Sequence, residues 1–216
     1  MVGRAPAPEF DAAFRTQLAD LVRWRRDVRR FRRDAVSQNV LDALLEAIRL
    51  APSVGLSEPW RIVEVASGPA RTGVRDIFGR ANRQALAGYD GERARRYAGL
   101  KLAGLDEAPV QWAMFADGET DKGHGLGRTT MPETAHYSVV CAVMQVWLIA
   151  RAHGVGVGWV SILAPDEVER LLDVPQSWRL VAYLCIGWPD ETLDEPELQR
   201  AGWETRTTAT PAVLVR

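Results

Sequence analysis

Apolar residues recur at helical spacing twice near the start of the chain. Phe14, Leu18, Leu21 and Val22 share one face of a helix predicted over 10–24, and Val40, Leu41, Leu44, Leu45 and Ile48 share one face of a second, with Ser37 placed to cap it. The run Ala51-Pro52-Ser53-Val54-Gly55-Leu56-Ser57-Glu58-Pro59 then breaks the pattern, and two prolines, a glycine and two serines predict an ordered turn ahead of a strand over 60–66. Residues 69–104 read as helical but strongly charged. Glycines at 79, 88, 91, 99 and 104 suggest two helices joined by a mobile loop, a candidate lid. A strand over 109–116 and a glycine-rich loop over 117–128 follow. Thr130 and Glu133 have capping-box spacing and predict the start of a helix running to His153 and closed by Gly154. That helix is apolar almost all round, which makes it a buried central helix or a subunit interface; Gln145 interrupts the apolar run short of the roughly 18 residues a membrane span needs. Strands over 155–163 and 180–187 flank a short helix over 165–172. The tail from Trp188 is polar until Pro211, where 211–216 is an edge strand or an arm onto a partner. With no internal repeat and no linker between two cores, the expectation is one α+β domain over 1–216, residues 1–9 being a lead-in and about 188–216 a C-terminal extension.

Composition narrows this little: at 216 residues, 47% hydrophobic and 25% charged, collagen-like, disordered and disulfide-scaffold classes are excluded. Cys141 and Cys185 both lie in apolar stretches and are expected to be buried thiols in a reducing compartment. The opening residues carry no signal-peptide core, so a cytoplasmic location is expected. The clusters Gly123-x-Gly125-x-Gly127 and Gly154-x-Gly156-x-Gly158 lack the third position of a dinucleotide fingerprint, neither lysine sits in a phosphate-loop motif, and the three histidines and two cysteines have no metal-ligand spacing.

Charge changes the picture more. A formal net charge of -1 argues against a dedicated polyanion binder, yet seven of the eleven positions 23–33 are arginine. Arginine presents a planar fork of donors matched to phosphate, although a solvated helix face is the plain alternative. Asp27 inside the cluster tilts the choice. A carboxylate among guanidinium groups is expected to have its pKa pushed down and can orient a hydroxyl, and a phosphate clamp beside a hydroxyl acceptor suits a sugar phosphate or nucleotide chain. Taken alone, Ser161 reads as a buried hydroxyl bonded to backbone.

The segment Arg25-Arg26-Asp27-Val28-Arg29, followed by the Pro52-Ser53 loop ending in Pro59-Trp60, resembles the opening of the nitroreductase-like flavoproteins, where such segments hold FMN. Gly127-Arg-Thr-Thr-Met-Pro-Glu-Thr134, Tyr137-Ser-Val-Val-Cys-Ala-Val143 and Gly156-Val-Gly-Trp-Val-Ser-Ile162 resemble one branch of that family, the 5,6-dimethylbenzimidazole synthases, over about residues 15–206. The asparagine common in the loop of general nitroreductases is absent; Leu56 and Ser57 occupy that region. The resemblance implies a nitroreductase-like fold, a central mixed or antiparallel sheet flanked by helices, in a domain-swapped homodimer with FMN at the interface. It implies that Arg25, Arg26, Asp27, Val28 and Arg29 hold the phosphate and ribityl chain, that Ser53, Gly55, Ser57, Gly158, Trp159 and Ser161 lie along the flavin, and that Arg206 adds a phosphate contact. Asp27 and Ser161 would be the catalytic pair, and the stretch Tyr97 to Gly104 the lid. The implied reaction consumes reduced FMN and O2 to give 5,6-dimethylbenzimidazole, the lower ligand of vitamin B12, and erythrose 4-phosphate, with NADH or NADPH acting only through a separate flavin reductase. The alternatives are an NAD(P)H-dependent nitroreductase or flavin reductase that retains its FMN and, from a different class, a module whose arginines contact nucleic acid or an acidic protein.

Overall fold

The computed structural model describes residues 6–100 and 103–216. Its centre is a four-stranded antiparallel sheet, β1 (Trp60–Glu64), β2 (Val110–Asp117), β3 (Gly156–Val160) and β4 (Trp178–Gly187), in the order β1-β2-β4-β3. The central strands read as unbroken apolar runs because both of their faces are covered. On β2, Val110, Trp112, Met114 and Ala116 enter one core with Ala182, Leu184 and Ile186 of β4, while Ala113 and Phe115 enter a second core with Tyr183 and Cys185. A register shift between Met114 and Phe115 lets the two longest strands stay paired through their twist.

The helices divide between these faces. Helix α2 (Gln38–Arg49) buries Val40, Leu44 and Ile48 in the first core beside α6 (Thr134–Ala152), whose buried row is Ala135, Ser138, Val139, Ala142, Val143, Val146 and Ala150. Val74 and Ile77 of α3 (Gly68–Ala87) and Val168 of α7 (Pro165–Leu171) close the second. Ser67 caps α3 by accepting from the Ala70 amide at 3.3 Å. Ser37 holds the N-cap position of α2, but its side chain makes no capping bond.

Several expectations change on contact with the structure. Helix α6 begins at Thr134, not Thr130, because the Thr130 amide already donates to the Gly127 carbonyl and the capping box never closes. By length and composition α6 is apolar enough to cross a membrane despite Gln145, while its buried row packs on the sheet. Its opposite face is open: Tyr137, Val140 and Met144 are exposed, and so is Cys141, which is therefore not the buried thiol expected, whereas Cys185 is. Helix α1 (Ala12–Trp24), capped by Asp11 accepting from the Phe14 amide at 2.7 Å, buries none of its residues. Its apolar face lines a groove of about 600 Å³ with Ala47, Leu50, Leu148 and Ile149. The joint between α3 and α4 (Gly91–Gly99) is a three-residue turn, where a loop was expected. The one-turn helix α5 (Gly104–Glu107) follows, and Lys101 and Leu102 of the candidate lid lie outside the described residues. In the tail, the short α8 (Glu197–Arg200) forms, but 211–216 makes no strand and Val213, Leu214 and Val215 are exposed.

Candidate active site

The arginine segment runs along the open edge of β3. The Val28 amide donates to the Val157 carbonyl at 3.0 Å, Asp27 bridges Val157 in parallel, and the Asp27 carboxylate accepts from the Trp159 amide at 2.9 Å. Glycine permits the approach. A Cβ on Gly156 would stand 2.6 Å from the Val28 side chain, and one on Gly158 only 2.1 Å from the Val28 carbonyl oxygen. The Gly156-Val-Gly158 spacing is thus explained by close backbone packing under the arginine segment, and at Gly158 that space is filled by Val28.

Arg25, Arg26, Asp27 and Arg29 line a pocket of about 160 Å³ whose other wall is the tail: Pro196, Glu197, Leu198 and Arg206. Arg206, 177 residues on from Arg29, is held there by its amide donating to the Gln199 side chain at 3.1 Å. Arg25 and Arg26 make no ion pair within 4 Å among the described residues. Burial lowers the pKa of both guanidiniums; Asp27 offsets part of this at Arg25, and Arg206 lowers each by like-charge repulsion. Arg26 donates to the Arg25 and Asp194 carbonyls, yet its buried Nε has no partner among the described residues. Crowded, partly desolvated cations with an orphan donor are the setting an anion would relieve.

Asp27 contradicts the sequence expectation in one respect. Burial, the largest influence, pushes its pKa up from the ordinary carboxylate value; the Trp159 amide, Arg29 at 3.6 Å and Arg25 pull the other way without winning. Its side chain is 38% exposed, since a carboxyl at the foot of a pocket is reachable yet poorly solvated. Ser161 stands just past the end of β3, exposed and with no hydrogen bond to its hydroxyl among the described residues, so the reading as a buried, backbone-bonded hydroxyl fails.

The Pro52-Ser53 loop lies elsewhere. It packs against α6 through the Val54 amide donating to Ser138 at 3.0 Å and feeds β1, at the opposite edge of the sheet from β3. Three strand spacings separate those edges, about 14 Å, and Ser138 stands nine residues, about 13 Å, along α6 from Trp147, which bonds the Arg26 carbonyl. No hydrogen bond or ion pair joins loop and clamp among the described residues. Gly55 takes a φ of 56°, and a Cβ there would meet the Leu126 carbonyl at 2.7 Å; Gly123 in turn approaches the Gly55 carbonyl, so the two loops interlock through backbone. The Ser53 hydroxyl accepts from the Glu58 amide, and that of Ser57 is buried without a partner among the described residues.

Sequence reasoning missed the groups that hold this site together. Trp147 is one. The Phe31 amide donates to Glu107 of α5 at 3.1 Å, tying the end of the segment to that helix, and Trp203 packs on Tyr89 and Tyr97 with ring centroids 5.5 and 6.1 Å away, tying the tail to α4. Arg32 lies over Trp188 and beside Asp34, and both Arg30 and Arg33 are exposed, in line with a solvated surface.

A four-stranded antiparallel sheet flanked by helices, with an arginine segment closing one edge, is the arrangement of a known class. The chain belongs to the nitroreductase family, whose model matches residues 22–188. It is 54% identical over 199 residues to a 5,6-dimethylbenzimidazole synthase of Rhodospirillum rubrum, covering 92% of this chain and 94% of that one, and 47% identical over 195 residues to one of Rhodobacter capsulatus, covering 90% and 94%. Among solved structures, it resembles iodotyrosine deiodinase bound to FMN and 3-iodo-L-tyrosine with a TM-score of 0.70 at 23% identity, covering 92% of this chain and 97% of that one; a likeness at that identity speaks for the fold.

Proposed function

We propose that this protein is a 5,6-dimethylbenzimidazole synthase that converts reduced FMN and O2 to 5,6-dimethylbenzimidazole and erythrose 4-phosphate. The reading is carried by the recessed Asp27 carboxyl at the foot of an arginine pocket, in a chain so similar to synthases of that name. Flavin is the substrate here. When bound in reduced form it supplies the electrons for reaction with O2 and the carbon retained in the benzimidazole.

The protein's own groups divide the remaining work. Arg25, Arg26 and Arg206 take the phosphate, with the orphan Arg26 Nε as one donor. The Trp159 amide fixes Asp27 Oδ1, which leaves Oδ2 facing Arg29 and the pocket to accept or return a ribityl hydroxyl proton. A carboxyl whose proton affinity is raised by burial suits that exchange better than one held down by its neighbours. Ser161 offers a hydroxyl without a competing partner close to the flavin. Ser53, Gly55 and Ser57 come from a second copy of the chain, since within one copy they stand across the sheet from the clamp; the exposed apolar faces of α1 and α6 are where copies would meet. The whole chain acts as one nitroreductase-like domain in a reducing cytoplasm. A separate flavin reductase using NADH or NADPH delivers the reduced flavin.

The test is to incubate the purified protein with FMN, NADH and a flavin reductase in air and look for 5,6-dimethylbenzimidazole by chromatography. Product dependent on the protein supports the reading. Absence of product with flavin binding intact overturns it, and steady NADH oxidation by the protein alone with FMN unconsumed would assign it to the flavin-retaining nitroreductases instead.

A further inference from the structure

Helix α6 places one side chain, Trp147, against both arginines at the start of the segment, Arg25 and Arg26. Trp147 donates its indole N–H to the Arg26 carbonyl at 2.9 Å, and its ring lies beneath the Arg25 guanidinium, 4.7 Å from carbon to centroid. The same ring packs on Trp159 at 6.2 Å, and the Trp159 amide holds Asp27. Arg25 needs such support. It stands among Arg26 and Arg206 in a partly desolvated pocket, with no carboxylate closer than 4 Å among the described residues; Asp27 offsets part of that burial from a distance, and the Trp147 ring face lies in direct contact with the guanidinium.

From this we infer that Trp147 is a positioning residue for phosphate recognition: it holds the Arg25 guanidinium and the Arg26 backbone in the geometry that grips a phosphate, and so sets the preference for phosphorylated over unphosphorylated flavin. The inference rests on the flavin phosphate assignment made above. Its logic is preorganisation. Residues 25–28 make no helix or regular strand, so without an anchor the clamp would be ordered only at the moment of binding, at the expense of affinity. Trp147 sits on a rigid helix that is packed in the core and supplies that order beforehand.

The experiment compares wild type, Trp147→Leu and Trp147→Phe by titration with oxidised FMN and with riboflavin, followed through flavin fluorescence. In Trp147→Leu, which loses both the ring face and the N–H, FMN affinity is expected to fall on the order of tenfold or more, with riboflavin affinity within about twofold of wild type on the same reasoning. Trp147→Phe keeps a ring beneath Arg25 and is expected to fall between the two. FMN and riboflavin weakening in parallel would show a merely structural role and overturn the inference, as would a preference for FMN that survives in Trp147→Leu. Should the leucine variant not fold, an unchanged preference in Trp147→Phe overturns the inference and a reduced one supports it. A wild type that binds FMN and riboflavin equally would instead remove the phosphate assignment itself, and the inference with it.

Discussion

The arginine clamp and the Pro52-Ser53 loop lie near one another in sequence and are opposites in construction. At the β3 edge, like charges are crowded together, partly desolvated, and kept in place by glycines that let Val28 lie on the strand. At the β1 edge, the loop carries no cluster of charge at its serines; backbone glycines interlock it with residues 123–127, and a buried Ser57 hydroxyl has no partner among the described residues. One region is assembled within the chain and holds Arg25 and Arg26 without an ion pair within 4 Å among the described residues. The other is rigid and lacks a ligand-facing partner. On the proposed function, two half-sites on opposite edges of one sheet divide the work, with the chemistry in the clamp and the loop as a wall, and this division can be tested from each side.

The largest effect should come from Asp27. Asp27→Asn keeps an oxygen for the Trp159 amide, so flavin binding should hold within a few-fold, while benzimidazole formation should fall on the order of 100-fold or more if the carboxyl moves a proton in the reaction. The matching change on the other edge, Ser57→Ala, should weaken flavin binding without removing product. Chromatographic yield under identical flavin saturation separates the two, and a fully active Asp27→Asn would remove Asp27 from the chemistry.

Gly158→Ala should come next. Its Cβ would stand 2.1 Å from a backbone oxygen, which no side-chain rotation relieves, so a loss toward the upper end of the roughly 1–3 kcal/mol typical of overpacking is expected, together with loss of FMN preference as the segment lifts from β3. Gly55→Ala carries a comparable strain of about 1–2 kcal/mol from its positive φ, but should leave the clamp's phosphate selectivity intact. Chemical denaturation paired with FMN and riboflavin titrations would distinguish the two variants, and equal selectivity loss in both would erase the contrast between the edges.

Arg206→Gln tests the charge crowding directly. Removing it should cost about tenfold in FMN affinity, the scale of one charge-assisted hydrogen bond, while the ligand-free protein melts no earlier than wild type because a repulsion on Arg25 and Arg26 is gone. A lower melting temperature without ligand would mean that Arg206 supports the tail more than it crowds the clamp.

The two regions also differ in how far sequence could read them. The strands were legible because β2 and β4 are apolar on both faces, and the arginine segment because its composition is extreme. The start of α6 was not, since Thr130 and Glu133 have the right spacing but the Thr130 amide is already engaged by Gly127, a contact set by the fold of the glycine loop. Nor was the environment of Cys141: in a helix apolar all round, periodicity cannot say which face meets the sheet. The spacing of Gly156 and Gly158 lacks a dinucleotide fingerprint, and the reason for those glycines appears only when Val28 is seen lying across them. For Asp27, charge counting gave the wrong sign of shift, because the surrounding arginines are visible in sequence and the depth of the pocket is not.

That sign carries the smallest effect and the sharpest one to read. A carboxyl whose native pKa is raised favours the fold fully below the ordinary carboxylate pKa near 3.9 and loses that contribution as pH climbs through the native value, the reverse of a salt-bridged aspartate. Asp27→Asn is neutral at every pH, so its melting temperature should match that of wild type in acid and exceed it slightly once Asp27 ionises. The gain should stay small, because the side chain is 38% exposed and solvent screens much of the penalty. Melting curves across that range decide the matter. If wild type gains on the variant as pH rises, the guanidiniums outweigh the burial after all, and the clamp is a neutralised ion-pair cluster and not a site waiting for an anion.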